Sequence, residues 1–184
     1  MAIPTKRILV EDFDEWILLA ENTDKSFEYI GGEVYEVVSN NYASKIALEI
    51  GFHIKLFMRT HKVEGHLTGA DGGYMVAGER YIPDIGYISA MRQANSSHDA
   101  YNPNHPDLAV EVISPTDSPQ KITIKVGNYL AAGTVVWIVR PKEEQVEVFV
   151  SGQPVQILTH GDILDGGAVL RGFQLDVADI FPKK

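Results

Sequence analysis

Apolar residues recur along the chain with two alternating periods, and the switches between them mark out the elements. Thr5, Val10, Phe13, Trp16, Ile17, Leu18 and Ala20 predict a short helix over 5–21. The period then shortens: Phe27, Tyr29, Val34, Tyr35 and Val37 flank the Gly31-Gly32 pair and predict a hairpin turning on it. The polar Ser39-Asn40-Asn41 supplies an N-cap, after which Ala43, Ile46, Ala47, Ile50, Ile54 and Phe57 follow at helical spacing, an amphipathic helix over 43–58. Two or three strands come next, between about 66 and 89, broken by Gly69, Gly72-Gly73 and Gly78. Residues 90–106 form a long polar loop of the kind that is commonly functional. Asp107–Ile113 is a nearly continuous apolar run, which reads as a buried strand. Thr116-Asp117-Ser118 caps a helix over 119–132, with Pro119 at its first position and Gly133 just past its end. Val135–Val139 and Val146–Val150 are two more strands, and the tail reads as short strands and turns. This order predicts an α/β or α+β fold with a central mixed sheet flanked by helices. No repeat or linker divides the 184 residues, so a single domain over 1–184 is expected.

Composition narrows the chemistry. The absence of Cys removes thiolate zinc sites, thiol nucleophiles and disulfide scaffolds. The six His show no metal-ligand spacing, and no Gly-x-Ser-x-Gly elbow is present. The glycines between 69 and 78 do not match a phosphate-binding fingerprint, because no helical pattern follows them. The start lacks a signal-like apolar run and no window reaches the length of a membrane span, which reads as a cytoplasmic protein without a membrane partner. The net charge of −9 is carried by the two ends. Residues 37–142 are close to neutral, and Lys45, Lys55, Arg59 and Lys62 leave room for a local basic face.

Three charged residues stand where propensity does not place them. Asp84 lies in Tyr81-Ile-Pro-Asp-Ile-Gly-Tyr-Ile88, and Glu111 interrupts the apolar strand. A buried carboxylate needs a cation, a hydrogen-bond network or an opening to water. Lys125 shares a helix stripe with Ile122, Val126 and Tyr129, on the helix that follows the Glu111 strand and returns over the sheet, whereas Lys121 lies one turn nearer the capped end. Two carboxylates and a lysine suit a hard divalent cation and phosphoryl chemistry.

Pro83-Asp84, then Asp107-Leu-Ala-Val-Glu111-Val-Ile-Ser-Pro-Thr-Asp-Ser118, then Lys125-x-x-x-Tyr129-x-x-x-Gly133-x-x-x-Trp137, closely resembles the Uma-type restriction endonuclease family of the PD-(D/E)XK nuclease superfamily. The resemblance runs from about Tyr29-Ile-Gly-Gly-Glu33 to the Trp137 strand. It implies a restriction endonuclease-like core in which Asp84 and Glu111 hold Mg2+ or Mn2+, with the Val112 carbonyl as a further ligand. Lys125 then replaces the lysine that the superfamily carries two residues after the acidic one, where this chain has Ile113. Glu33 is an accessory candidate approaching from the hairpin. The chain departs from the family in having Asn41, Tyr42 and Ser44 where a His is common, and Arg140 in place of an Asp. The function so implied is metal-dependent DNA endonuclease activity, carried by a homodimer that offers one site to each strand. The alternatives are an inactive DNA-binding or assembly protein on the same fold and, from the acidity of the chain, a phosphodiesterase acting on a small-molecule or non-nucleic substrate.

Overall fold

In the computed structural model, which describes residues 6–38, 40–115 and 117–181, the chain opens with a short strand β1 (Lys6–Arg7) and a helix α1 (Val10–Trp16). The helix expected over 5–21 is therefore shorter than its pattern. Leu9 enters it in an extended conformation without a side-chain cap, and Lys6–Arg7 pair instead with the hairpin that follows. Beyond Trp16, its carbonyl accepts a hydrogen bond from the Asn22 side chain at 2.7 Å, and the chain turns away. Thr5, Ser39 and Thr116, which took part in the expected helix and caps, lie outside the described residues.

The hairpin is β2 (Phe27–Ile30) and β3 (Glu33–Glu36). Its turn places Gly31 and Gly32 at φ of +59° and +83°, a conformation that only glycine adopts without strain. The long helix α2 (Asn41–His61) starts at Asn40, whose side chain accepts from the backbone N–H groups of Tyr42 and Ala43, both at 3.0 Å. Four strands then fill the 65–89 region, more than the two or three expected: β4 (Gly65–Thr68), β5 (Gly73–Val76), β6 (Glu79–Tyr81) and β7 (Ile85–Ser89). Gly78 lies in the two-residue turn between β5 and β6, where Ala77 and Gly78 both have positive φ, and the break that no glycine marks is Ile82-Pro83-Asp84 between β6 and β7. The polar loop carries a short strand β8 (Tyr101–Asn102) that pairs with β5.

The apolar run forms β9 (Leu108–Val112), followed by α3 (Pro119–Ala132), β10 (Val135–Arg140) and β11 (Gln145–Phe149). Pro119 opens α3, and Gly133 closes it at φ +86°. The expected capping by Ser118 is not made by its side chain, although the Ser118 carbonyl accepts from Ile122 N–H. Asp117 instead binds the N–H of Ser114 at 2.7 Å, inside the preceding turn. The tail supplies β12 (Gln156–Leu158), β13 (Ile163–Asp165), β14 (Gln174–Asp176) and a one-turn helix α4 (Val177–Ile180).

The strands assemble into a sheet ordered β1-β3-β2-β6-β5-β8, a mixed sheet ordered β12-β11-β10-β9-β7-β4, and the β13-β14 pair. In the mixed sheet, β9 and β10 run parallel and are joined by α3, while the other neighbours are antiparallel. α2 covers one face of this sheet: Ile46, Ile50 and Ile54 cluster with Leu108, Val110, Val112, Trp137 and Val139. The other face packs Ala109, Val136 and Ile138 against Val126 and Tyr129 of α3 and against Ile30, Tyr74 and Tyr81 of the first sheet. Both faces of β9 and β10 are thus covered, which is why their sequences are apolar apart from Glu111 and the terminal Arg140. α1 is fastened to the first sheet by Phe13 packing and by a two-pronged ion pair between Arg80 and Asp14 at 2.9 and 2.6 Å.

Candidate active site

Strand parity and helix periodicity aim three charged side chains at one point. In β9, Leu108, Val110 and Val112 pack on the α2 side, so Ala109 and Glu111 face α3. In β2, Phe27 and Tyr29 pack with Phe13, which turns Glu28 and Ile30 the opposite way, toward α3. Lys125 and Tyr129 stand four residues apart on the buried stripe of that helix. The three elements meet at the Lys125 ammonium, which donates to Glu28 Oε1 at 2.7 Å and to Glu111 Oε2 at 2.7 Å. Tyr129 donates its hydroxyl to the other oxygen of Glu111 at 3.1 Å. Lys125 and Glu28 are each only 8% exposed.

Asp84 joins the group from the segment between β6 and β7, where Pro83 prevents the ladder from continuing. Its Oδ2 accepts the N–H of Val112 at 2.7 Å, beside Glu111. Glu28 Oε1 in turn accepts the N–H of Ile82 at 2.9 Å, two residues before Asp84. The two bonds cross-brace the carboxylates, for each acid is held by backbone next to another. All four groups line one cleft of about 300 Å³, together with Lys121, Asp117, Glu36 and an apolar wall that includes Ile113, Ile122 and Ile138.

The electrostatics follow from three buried carboxylates sharing one fully enclosed ammonium. Burial pushes Glu111 up to about 8, against the pull of Lys125 and with further push from Glu28 and Asp84. Burial also raises Asp84, countered in part by the Val112 N–H and by Lys125. For Lys125 burial works against the charge, but Glu111 and Glu28 outweigh it and hold the ammonium above the ordinary lysine range. Tyr129 is raised by burial and by Glu111, so its hydroxyl stays a neutral donor. Lys125 thus keeps its charge beside Glu111 and Asp84, whose ionisation burial disfavours, and acids outnumber lysines in the cleft lining.

Asp84, Glu111 and Lys125 are brought together, and Glu33 is not. Its carboxylate binds Arg7 at 2.8 and 2.7 Å and the Tyr35 hydroxyl at 2.6 Å, away from the cleft lining. The acid that the hairpin contributes is Glu28, which the sequence reading passed over. A signal was present: Glu28 interrupts Phe27-Glu-Tyr-Ile30 much as Glu111 interrupts β9. The Gly-Gly-Glu motif drew attention to Glu33, five residues further on.

A mixed sheet covered by helices on both faces, with an acid-rich cleft beside its parallel strands, places the chain among α+β proteins with a restriction endonuclease-like core. Residues 10–178 match the family described as "Putative restriction endonuclease" (Uma2), and the chain belongs to that family. Among solved structures it is similar to a protein from Anabaena variabilis, titled a putative nuclease belonging to DUF820. The TM-score is 0.81 with 20% sequence identity, covering 95% of this chain and 97% of that one. That likeness bears on the fold. A search of curated proteins gave no match. Among the described residues, no helix is long and apolar enough to cross a membrane.

Proposed function

We propose that the chain is a nuclease that hydrolyses DNA phosphodiester bonds with the help of Mg2+ or Mn2+. The observation that carries this reading is the excess of carboxylate over ammonium in a solvent-open cleft. Asp84 and Glu111 offer hard oxygen donors there, and Lys125 alone does not balance Glu28, Asp84 and Glu111. Among the described residues, no group of three or more His, Asp or Glu side chains is placed to hold a metal ion. An open site of two carboxylates completed by water is the arrangement Mg2+ accepts. The cation, when bound, would supply an acidified water and neutralise phosphate charge.

The chain's own groups have separate tasks in this reading. The Val112 N–H fixes which oxygen of Asp84 is left to face the cleft, and Tyr129 orients Glu111. Lys125 keeps Glu28 and Glu111 together at the floor of the cleft. A homodimer belongs to the same reading, because two copies present one site to each strand. Sedimentation of the free protein at micromolar concentration tests that part.

The central test is metal binding read apart from activity. Mn2+ titrated into the wild type should bind and raise Tm, and supercoiled DNA should be nicked only when Mn2+ or Mg2+ is present. Asp84→Asn should lose binding, thermal shift and nicking together. Wild-type protein that binds Mn2+ but cuts no DNA would favour the inactive DNA-binding alternative. Equal Mn2+ binding by wild type and Asp84→Asn would remove Asp84 from the site.

A further inference from the structure

We propose that Lys121, one turn before Lys125 on α3, is the side chain that meets the substrate phosphate, while Lys125 remains inside as counter-ion of the carboxylates. The inference rests on the nuclease reading and assigns the substrate-facing cation within it. Lys125 is enclosed and spends its ammonium on Glu28 and Glu111 at 2.7 Å each, so reaching outward would strand two buried acids. Lys121 lines the same cleft, is only part-buried, and makes no salt bridge among the described residues.

Its ammonium sits over the ring of Tyr35, 4.0 Å from the centroid. An aromatic face attracts a cation but takes few of its hydrogen bonds, so N–H donors remain for an incoming anion. The ring itself is fixed, because the Tyr35 hydroxyl donates to Glu33, and Glu33 is held by Arg7. Burial pushes Tyr35 up to about 12, with the Glu33 bond adding to it, so the hydroxyl remains a donor. Partial burial also lowers Lys121 from the ordinary lysine value. Glu28, Asp117 and Glu111 act on it only through space, and no carboxylate takes its N–H groups in a salt bridge among the described residues.

The rest of the lining makes the point sharper. Glu28, Glu36, Asp84, Glu111 and Asp117 all border the cleft, and Lys121 and Lys125 are its basic residues among those described. A phosphodiester approaching this lining is repelled unless a cation offsets the acids, and Lys121 is the one not already committed. Its place one helical turn from Lys125 puts it nearer the start of α3, on the stripe that follows the Glu111 strand.

The test reads DNA binding, in Ca2+ to slow turnover, with a fluorescein-labelled duplex and KCl varied. Removing one phosphate contact should lower the slope of log Kd against log salt by about 0.9 and raise Kd by about tenfold near 0.1 M salt. Lys121→Met and Lys121→Gln should both show this change, Lys121→Arg should restore the slope, and all three should keep wild-type Mn2+ affinity and melting. A Lys121→Met protein with the wild-type slope and Kd overturns the inference while leaving the nuclease reading in place. Wild-type protein that neither binds nor cuts DNA overturns both.

Discussion

Lys125 carries more of the molecule than one side chain ordinarily does. Replacing a buried cation leaves its partners charged and unpaired, and such losses run to about 3–5 kcal/mol. Lys125→Met is therefore expected to lower the unfolding free energy by roughly that amount. At pH 9, above the Glu111 value of about 8, adding Glu111→Gln should recover part of the loss, because the second change removes one stranded carboxylate. Urea melts of the wild type, the two single variants and the double variant form a cycle that reads the coupling; additive effects would mean that the 2.7 Å contact contributes nothing of its own. At this scale the sequence was half legible. Glu111 and Lys125 announced themselves by sitting among apolar neighbours, and Asp84 by following Pro83. Glu28 carries the same mark within Phe27–Ile30, but its partner lies 97 residues away and their meeting depends on how two sheets face α3. A local pattern reports that a charge is out of place, but not which distant charge answers it.

Among the elements, α2 shows most directly how periodicity becomes packing. Ile50 is 0% exposed against β9, while Leu48, on the opposite side of the same turn, is 72% exposed. Ile50→Ala should cost about 2–5 kcal/mol by emptying a packed core position. Leu48→Ala should change stability by less than about 0.5 kcal/mol. Chemical denaturation of the two variants separates them, and comparable losses would mean that the helix is rotated from its described setting. Helices with clear borders were legible: α2 has Asn40 before it, and α3 lies between Pro119 and Gly133. The opening helix was overextended because Ile17, Leu18 and Ala20 continue its apolar spacing into residues that turn. The four short strands of 65–89 exceed the expected two or three because no glycine marks the break between β6 and β7, which falls at Pro83.

For the molecule as a whole, the acidic balance of −9 and the buried acids make stability depend on pH in a direction that can be worked out. Folding raises Glu111 from an ordinary 4.5 to about 8, so the native chain holds a proton that the unfolded chain has released between those values. The stability this group contributes is complete below about 4.5 and is lost as pH rises through about 8. Glu111→Gln has no such proton to lose. Its stability relative to wild type should thus improve from pH 5 to pH 9, by an amount on the order of a few kcal/mol, in paired denaturation curves. A constant difference across that range would show that Glu111 is ionised throughout.

The distance along the chain between Glu28 and Lys125 also sets a timetable. Lys125 and Glu111 are 14 residues apart and emerge together within the β9-α3-β10 stretch, whereas Glu28 precedes its partner by 97. At about 5–20 residues per second, a ribosome takes on the order of 5 to 20 s to cover that gap. Throughout that interval the Phe27–Glu36 segment carries Glu28 without the cation that meets it in the folded chain. Glu28 must stay hydrated until α3 arrives, so its burial against Lys125 follows the synthesis of that helix.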